Sequence, residues 1–337
     1  MKWNCLPALA LCFALSNCKK NDSETPKQQD TNILSYSIPS SAALVNIDNS
    51  QHLINIRFPE TVMDADDLIA DFTLSPGCKA TIKNVEQVSG VSKNNYSNVF
   101  VYTVSAGVSS SDWRVITTNN DYTAAQGLGN FIQETASNNC SYSWYSDQAY
   151  TGPFSLYNCG PTVVTMACKW ADSTFAKTPE DARNVYRPEG GDWYPDDITF
   201  YLRDNSIPNS TVALPPSAEN ALQIIKYEVD LHQLVIVDHE MSPIRYNSFP
   251  EAHVDRFYPA NPGEGHFIII KGYKKVDNEL FFEVYDPNSW TRTYDDGSYK
   301  GKDRYYRSED LWAAIKDWWA KIFIVAKKGT PIIDSYP

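Results

Sequence analysis

The hydrophobic period of this chain changes partway along it. Between Asn32 and Thr118, short runs rich in β-branched and aromatic residues follow one another: ILSYSI, ALVNI, HLINIRF, IADFTLSP, KATIKNV, VFVYTVSA and WRVITT. Many alternate apolar and polar residues, and clusters of Pro, Gly, Asn and Ser separate them. About seven strands in that span predict an antiparallel β-sandwich over 32–118. Past Cys140 the pattern becomes mixed. Apolar stripes at helical spacing predict helices at 160–171, 179–186, 195–204, 217–229 and 308–319. Apolar runs predict strands at 233–238, 265–273, 280–286 and 322–327. Helices early and strands late make an α+β arrangement rather than alternating βαβ units. A chain of 337 residues has room for both parts.

The first residues read as an export signal. Lys2 supplies a positive start, and Cys5 to Leu15 is an apolar stretch too short to span a bilayer. Leu15-Ser16-Asn17-Cys18 resembles the lipobox of bacterial lipoproteins, although Asn17 stands where Gly or Ala is usual. That resemblance implies lipidation at Cys18 and a membrane contact made by the lipid anchor. The predicted organisation is a signal peptide at 1–18 and a polar, flexible tether at 19–31. The sandwich at 32–118, a connecting segment at 119–139 and an α+β domain at 140–337 follow. The formal charge of −12 argues against nucleic acid and anionic lipid surfaces as main partners. Asp64, Asp66 and Asp67 lack the glycine and terminal glutamate of an EF-hand loop, so a solvated loop is expected.

Of seven cysteines, Cys5 and Cys12 fall within the signal and Cys18 at the lipobox, leaving Cys78, Cys140, Cys159 and Cys168. Two of these lie in LYNCGPTVVTMACKW, Leu156 to Trp170. Pro161 suits a first helical turn, where its missing N–H costs nothing. Val163, Met166, Ala167 and Trp170 then fall on one face of a helix pressed against a core. Cys159 sits at the start of that helix, where the dipole and free N–H groups stabilise a thiolate. Cys168, inside the helix, reads as a small hydrophobe. The two are ~13 Å apart by helical rise, too far to form a disulfide. No cysteine or histidine pairs have zinc spacing.

Two later motifs complete a nucleophile set. His266 opens the strand GHFIIIKGY after the flexible NPGEG, and could take the thiol proton and return it to a leaving group. Asp286 ends the strand LFFEVYDPN, which Pro287 stops. A hairpin turning near Lys275 to Asn278 places the residue opposite His266 between 286 and 289. Asp286 is then near enough to orient the imidazole if a bulge or sheet twist closes the gap, with Asn288 the alternative. His232, His239 and His253 sit in polar stretches, and His239, within DHE, reads as surface.

NCGPTVVTMA, GHFIIIKGY and VYDP, in that order, resemble the papain-like cysteine peptidases, in particular the family thirty-nine branch of bacteriocin-processing peptidases and its stand-alone relatives. The resemblance covers about residues 140 to 330. It implies a papain-like fold, Cys159 as nucleophile, His266 as base and Asp286 as orienter. It also implies a glutamine that donates to the oxyanion, for which Gln148 is the candidate and Gln133 the reserve. The backbone N–H of Cys159 would be the second donor. No cofactor is required, and the substrate is a peptide or protein. The transporter helices and nucleotide-binding loop of the better-known members are absent from this sequence, and Gly190-Gly191 gives no sign of leader cleavage. Residues 32–118 resemble, with motifs of low specificity, the immunoglobulin-like modules of Gram-negative surface lipoproteins, a stalk or a dock for a surface partner. The expected activity is hydrolysis of a peptide or amide bond through a thioester. An amidase or transpeptidase on the same scaffold and a non-catalytic surface binding lipoprotein are the alternatives.

Overall fold

A computed structural model describes residues 29–120 and 127–333. The predicted signal peptide, Cys18 and most of the predicted tether lie outside the described residues. Among the described residues no helix is long and apolar enough to cross a membrane. The chain is a mixed α+β protein, with several β-sheets and five α-helices among the described residues.

The N-terminal part contains ten short strands between Ile33 and Thr118. Six of them form one sheet, and the strand Ile33–Ser37 pairs with Asp71–Leu74 in a separate small one. Ile33, Tyr36 and Phe72 of that small sheet bury against Ile54, Ile56, Tyr102, Trp113 and Val115 of the larger. The expected purely antiparallel arrangement does not hold: Leu53–Arg57 runs parallel to residues 114–118. The two strands lie far apart in sequence, and intervening segments carry the chain across. The cluster Asp64, Asp66 and Asp67 is exposed; Asp64 accepts the Asp66 N–H at 2.9 Å and Asp67 lies 3.4 Å from Lys93.

The second part is built on a seven-stranded sheet. Its order is Asn209–Ala213, Lys321–Val325, Leu234–Glu240, Gly265–Val276, Glu279–Tyr285 and Arg304–Arg307. Ile132–Ser137 pairs with the far end of Gly265–Val276, and every pairing is antiparallel. Residues 119–139 therefore do more than connect: they supply a strand to the second sheet. Asn119 donates to the carbonyls of Val62 at 2.7 Å and Ile132 at 2.6 Å, tying the two parts together.

The helices cover both faces. The helix Cys159–Ala171 packs with Ile198, Leu202, Ile236, Phe267 and Ile269 on one side. Ala218–Asp230 and Ser308–Lys316 pack on Val235, Val237, Ile268 and Ile270 on the other. The alternation of Ile268 and Ile270 with Phe267 and Ile269 divides one strand between two cores. Pro179–Val185 begins on a capping box in which Thr178 and Asp181 satisfy each other's backbone N–H groups. The predicted helix at 308–319 stops at Lys316. The strands at 209–213 and 304–307 had no apolar run long enough to mark them.

Candidate functional site

Cys159 is half-buried at the first turn of its helix. Asn158 precedes it and puts no side-chain bond onto that turn. Instead Asn158 Nδ2 donates to the Thr151 carbonyl at 3.0 Å, and its Oδ1 accepts from Arg183 Nε at 2.8 Å. Arg183 is buried and spans the ground behind the cysteine. Its Nη2 donates to the Tyr157 carbonyl at 2.7 Å and its Nη1 to the Gly191 carbonyl at 2.8 Å. Burial lowers the pKa of the guanidinium, and the neighbouring Cys159 and Asp192 oppose that shift. Gly160 is a glycine because Trp193 lies on it: a Cβ there would stand 2.7 Å from the Trp193 Cβ. Trp193 both packs and forms a wall, being 4% exposed and lining a hollow beside Cys159.

The hairpin brings the other two groups together. Val276 pairs with Glu279, and the register slips by one between Ile270 and Gly272. That bulge moves the position facing His266 from 289 to 288, and the side chains of His266 and Asp286 meet past the last paired residues, Ile269 and Tyr285. His266 Nε2 lies 2.8 Å from Asp286 Oδ1. A carboxylate only accepts, so Nε2 carries the proton and donates it, and Nδ1 is the ring nitrogen left for the other neighbour. Cys159 is that neighbour: it lines the same hollow, and its nearness favours the imidazolium.

Asp286 is completely buried and takes four donors. Besides His266 these are the Asn288 N–H at 2.8 Å, the Tyr258 hydroxyl at 2.8 Å and the Tyr306 hydroxyl. Its main chain is held as well. Asp286 N–H donates to the Gly301 carbonyl at 2.8 Å, and its own carbonyl accepts from Tyr145 Oη at 2.8 Å. Gly301 passes so close that a Cβ would overlap the Asp286 carbonyl oxygen at 1.9 Å. Burial alone would raise the carboxyl pKa, but the His266 charge, its hydrogen bond and those of Tyr306 and Asn288 hold it well below the usual range. Burial would likewise lower the His266 pKa. The Asp286 carboxylate first, and Cys159 after it, raise it above the ordinary imidazole value.

Two hollows meet at Cys159. One of about 430 Å³ is lined by Gln148, Cys159, His266, Asn288 and Trp290 among others. The other, of about 210 Å³, is lined by Cys159, Trp193, Asp238, Phe267 and Trp318 among others. Gln148 is buried in the wall of the first. Its Nε2 makes only a long 3.4 Å contact with the Ser155 carbonyl, and its Oε1 has no partner. Asp147, next to it, accepts the N–H groups of Trp290 at 3.0 Å and Thr291 at 2.7 Å, both in the left-handed region. A β-branched residue there is strained, and Asp147 holds the strained pair in place. A larger hollow of about 640 Å³ on the N-terminal sandwich has Lys83 as the one ionisable group in its lining.

The remaining expectations divide. Gln133, the reserve, lies away from the cleft, its Nε2 donating to Asn278 Oδ1 at 2.9 Å. Asn288 touches Asp286 through its main chain, and Asp286, not Asn288, holds the ring. Cys168 is buried, and burial pushes its thiol up to about 12. His253 stacks on Tyr294 with ring centroids 4.0 Å apart, and His232 sits in the turn after a helix; neither lines the cleft. His239 corrects the surface reading. It is fully buried on the strand Leu234–Glu240, directly opposite His266, with ring centroids 5.7 Å apart. Neither ring nitrogen has a hydrogen-bond partner, and burial, followed by the His266 charge, lowers its pKa to about 3. It is a buried, neutral ring beside His266. Arg183, Tyr258 and Tyr306 gave no signal in sequence, because each acts by reaching across elements distant along the chain.

No family model matches the chain, and no curated protein matches it. Among solved structures, a crystal structure described as "a putative secreted protein" from Bacteroides fragilis NCTC 9343 is 17% identical. That match covers 23% of this chain and 70% of that one at a TM-score of 0.19. One described as "a putative glycoside hydrolase" from Bacteroides thetaiotaomicron VPI-5482 is 13% identical. It covers 90% of this chain and 97% of that one at a TM-score of 0.23. Scores of that size assign neither fold nor activity.

Proposed function

We propose that this chain is an exported papain-like cysteine peptidase, anchored through Cys18 and carrying an immunoglobulin-like sandwich before its catalytic domain. The observation that carries the reading is the line of three groups. Cys159 at a helix start faces His266, whose far nitrogen lies 2.8 Å from the buried Asp286. A purely structural cysteine needs no such couple.

In this reading the Cys159 proton already rests on His266 Nδ1, and Asp286 stabilises the imidazolium of that thiolate–imidazolium pair. The thiolate attacks the substrate carbonyl, forming a carbon–sulfur bond and an oxyanion. The Cys159 N–H and Gln148 Nε2 are the donors aimed at that oxygen. The weak existing contact of Gln148 means that little is lost when it turns to the oxyanion. Collapse of the intermediate breaks the carbon–nitrogen bond, and the imidazolium protonates the leaving amine. Water, deprotonated by His266, then hydrolyses the thioester and restores the thiol. No step calls for a metal or cofactor.

The test is hydrolysis of a peptide library by the wild-type chain beside Cys159→Ala, with iodoacetamide labelling at neutral pH alongside. Cleavage that disappears in Cys159→Ala, together with labelling of Cys159 well before Cys168, supports the reading. Equal, slow labelling of both thiols and no cleavage would leave a surface binding protein as the better account. Product transfer to an added amine would instead indicate a transpeptidase.

A further inference from the structure

The smaller hollow beside Cys159 has a chemistry of its own. Trp193, Phe267 and Trp318 form apolar walls, and Asp192 and Asp238 provide carboxylates. Neither this hollow nor its larger neighbour is lined by a lysine or arginine. Asp238 lies on the strand Leu234–Glu240, paired with Phe267. Its Oδ1 accepts from Trp318 Nε1 at 3.1 Å, and its Oδ2 has no partner among the described residues. At the rim, Tyr194 already carries Arg187 at 4.0 Å over its ring, but Asp197 pairs with that arginine at 2.6 Å. The arginine therefore does not neutralise Asp238.

The geometry points to this hollow as a subsite for the cationic side chain, lysine or arginine, of a peptide residue flanking the scissile bond. The assignment rests on the peptidase reading for its peptide, though the binding site itself does not need the thiol. Aromatic walls accept the alkyl stem and the face of a guanidinium, while a carboxylate with one vacant oxygen meets the charge. Burial, and then the charge of Asp192, push the Asp238 carboxyl up to about 6. The Trp318 hydrogen bond and the charge of His266 already pull that carboxyl down in part, and a bound cation supplies a counter-charge within the hollow itself. A neutral side chain of the same shape would fill the walls and leave the carboxylate unanswered.

The experiment uses the full chain with Cys159→Ala, so that binding is read without turnover, and calorimetric titration with three probes. These are N-acetyl-arginine amide, its neutral isostere N-acetyl-citrulline amide, and norleucine amide with a free α-amine. The arginine probe is expected to bind about tenfold or more tighter than citrulline, a gap that Asp238→Asn closes. Asp192→Asn, at the exposed rim, is expected to narrow the gap and decides the matter if Asp238→Asn lowers the melting temperature. Equal affinities, no saturable binding of the arginine probe, or a gap unchanged in a folded carboxylate variant would overturn the assignment. Norleucine amide binding as tightly as the arginine probe would overturn it too, by moving the cation to the peptide terminus. Failure here with intact hydrolysis by the wild type leaves the peptidase reading standing; binding here without hydrolysis removes that reading alone.

Discussion

Asp286 Oδ1 stands 2.8 Å from His266 Nε2, and three further donors hold the fully buried carboxylate there. The pair is a charged couple, because both pKa shifts run toward the ionised forms. Its contribution to stability has limits on both sides. The Asp286 share is present above the unfolded carboxyl value of about 4 and is lost as pH falls through the lowered folded value. The His266 share is full below the unfolded imidazole value of about 6.5 and is lost as pH rises through the raised folded value.

Asp286→Asn should therefore cost most in the window between those limits. Breaking a buried pair on one side costs about 3–5 kcal/mol. Denaturant titrations across pH should show the wild-type advantage as a plateau that declines at both ends. The imidazole of the variant, followed by NMR, should titrate lower than in the wild type. If the proposed peptidase activity holds, its kcat/KM is expected to fall by about 10³–10⁴. An unchanged imidazole titration would contradict the couple.

Tyr306→Phe removes one donor to a buried carboxylate and leaves the rest. The expected loss is about 1–3 kcal/mol of stability. With one bond fewer, the Asp286 pKa rises. The acid limb of the kcat/KM profile should then move to higher pH, a change that loss of packing alone would not produce.

Gly160→Ala places a methyl 2.7 Å from the Trp193 Cβ, and neither backbone can yield freely. Overpacking of this kind costs about 1–3 kcal/mol. The helix start shifts and carries Cys159 with it, so the iodoacetamide rate at Cys159 should fall along with the melting temperature. A variant that labels and melts like the wild type would show that Trp193 does not seat the helix start.

Arg183→Lys keeps the charge and loses the fork. Three acceptors, on Asn158, Tyr157 and Gly191, share one guanidinium, and an ammonium cannot meet all three in the same geometry. We expect a loss of about 2 kcal/mol or more, read as a lower melting temperature. Arg183→Met should lose more, because it leaves all three acceptors unanswered.

The elements that carry the three central groups were legible locally. Asn158 to Trp170 marks a buried helix with a cysteine at its start, GHFIII and FFEVYDP mark strands, and the short link between them implies a hairpin. The one slip in register, at Lys271, lay within what a bulge allows. His239 was misread because Asp-His-Glu is polar in composition, yet the strand it ends is central and its ring faces inward. Gln148, ranked ahead of Gln133, lines the hollow, while the strand Ile132–Ser137 carries Gln133 to a different edge of the molecule.

The sequence by itself determined the secondary structure near the site and which thiol, imidazole and carboxyl could act together. These follow from hydrophobic period, Pro and Gly punctuation and short chain separations. Only the tertiary structure decided that Tyr258 and Tyr306 saturate Asp286, that Arg183 ties Asn158 to the loop at Gly191, and that Asp238 ends in an aromatic hollow. Those contacts join segments far apart in the chain. Sheet order and helix packing set them, and a linear pattern of apolar and polar residues does not encode which distant side chains will share a cavity.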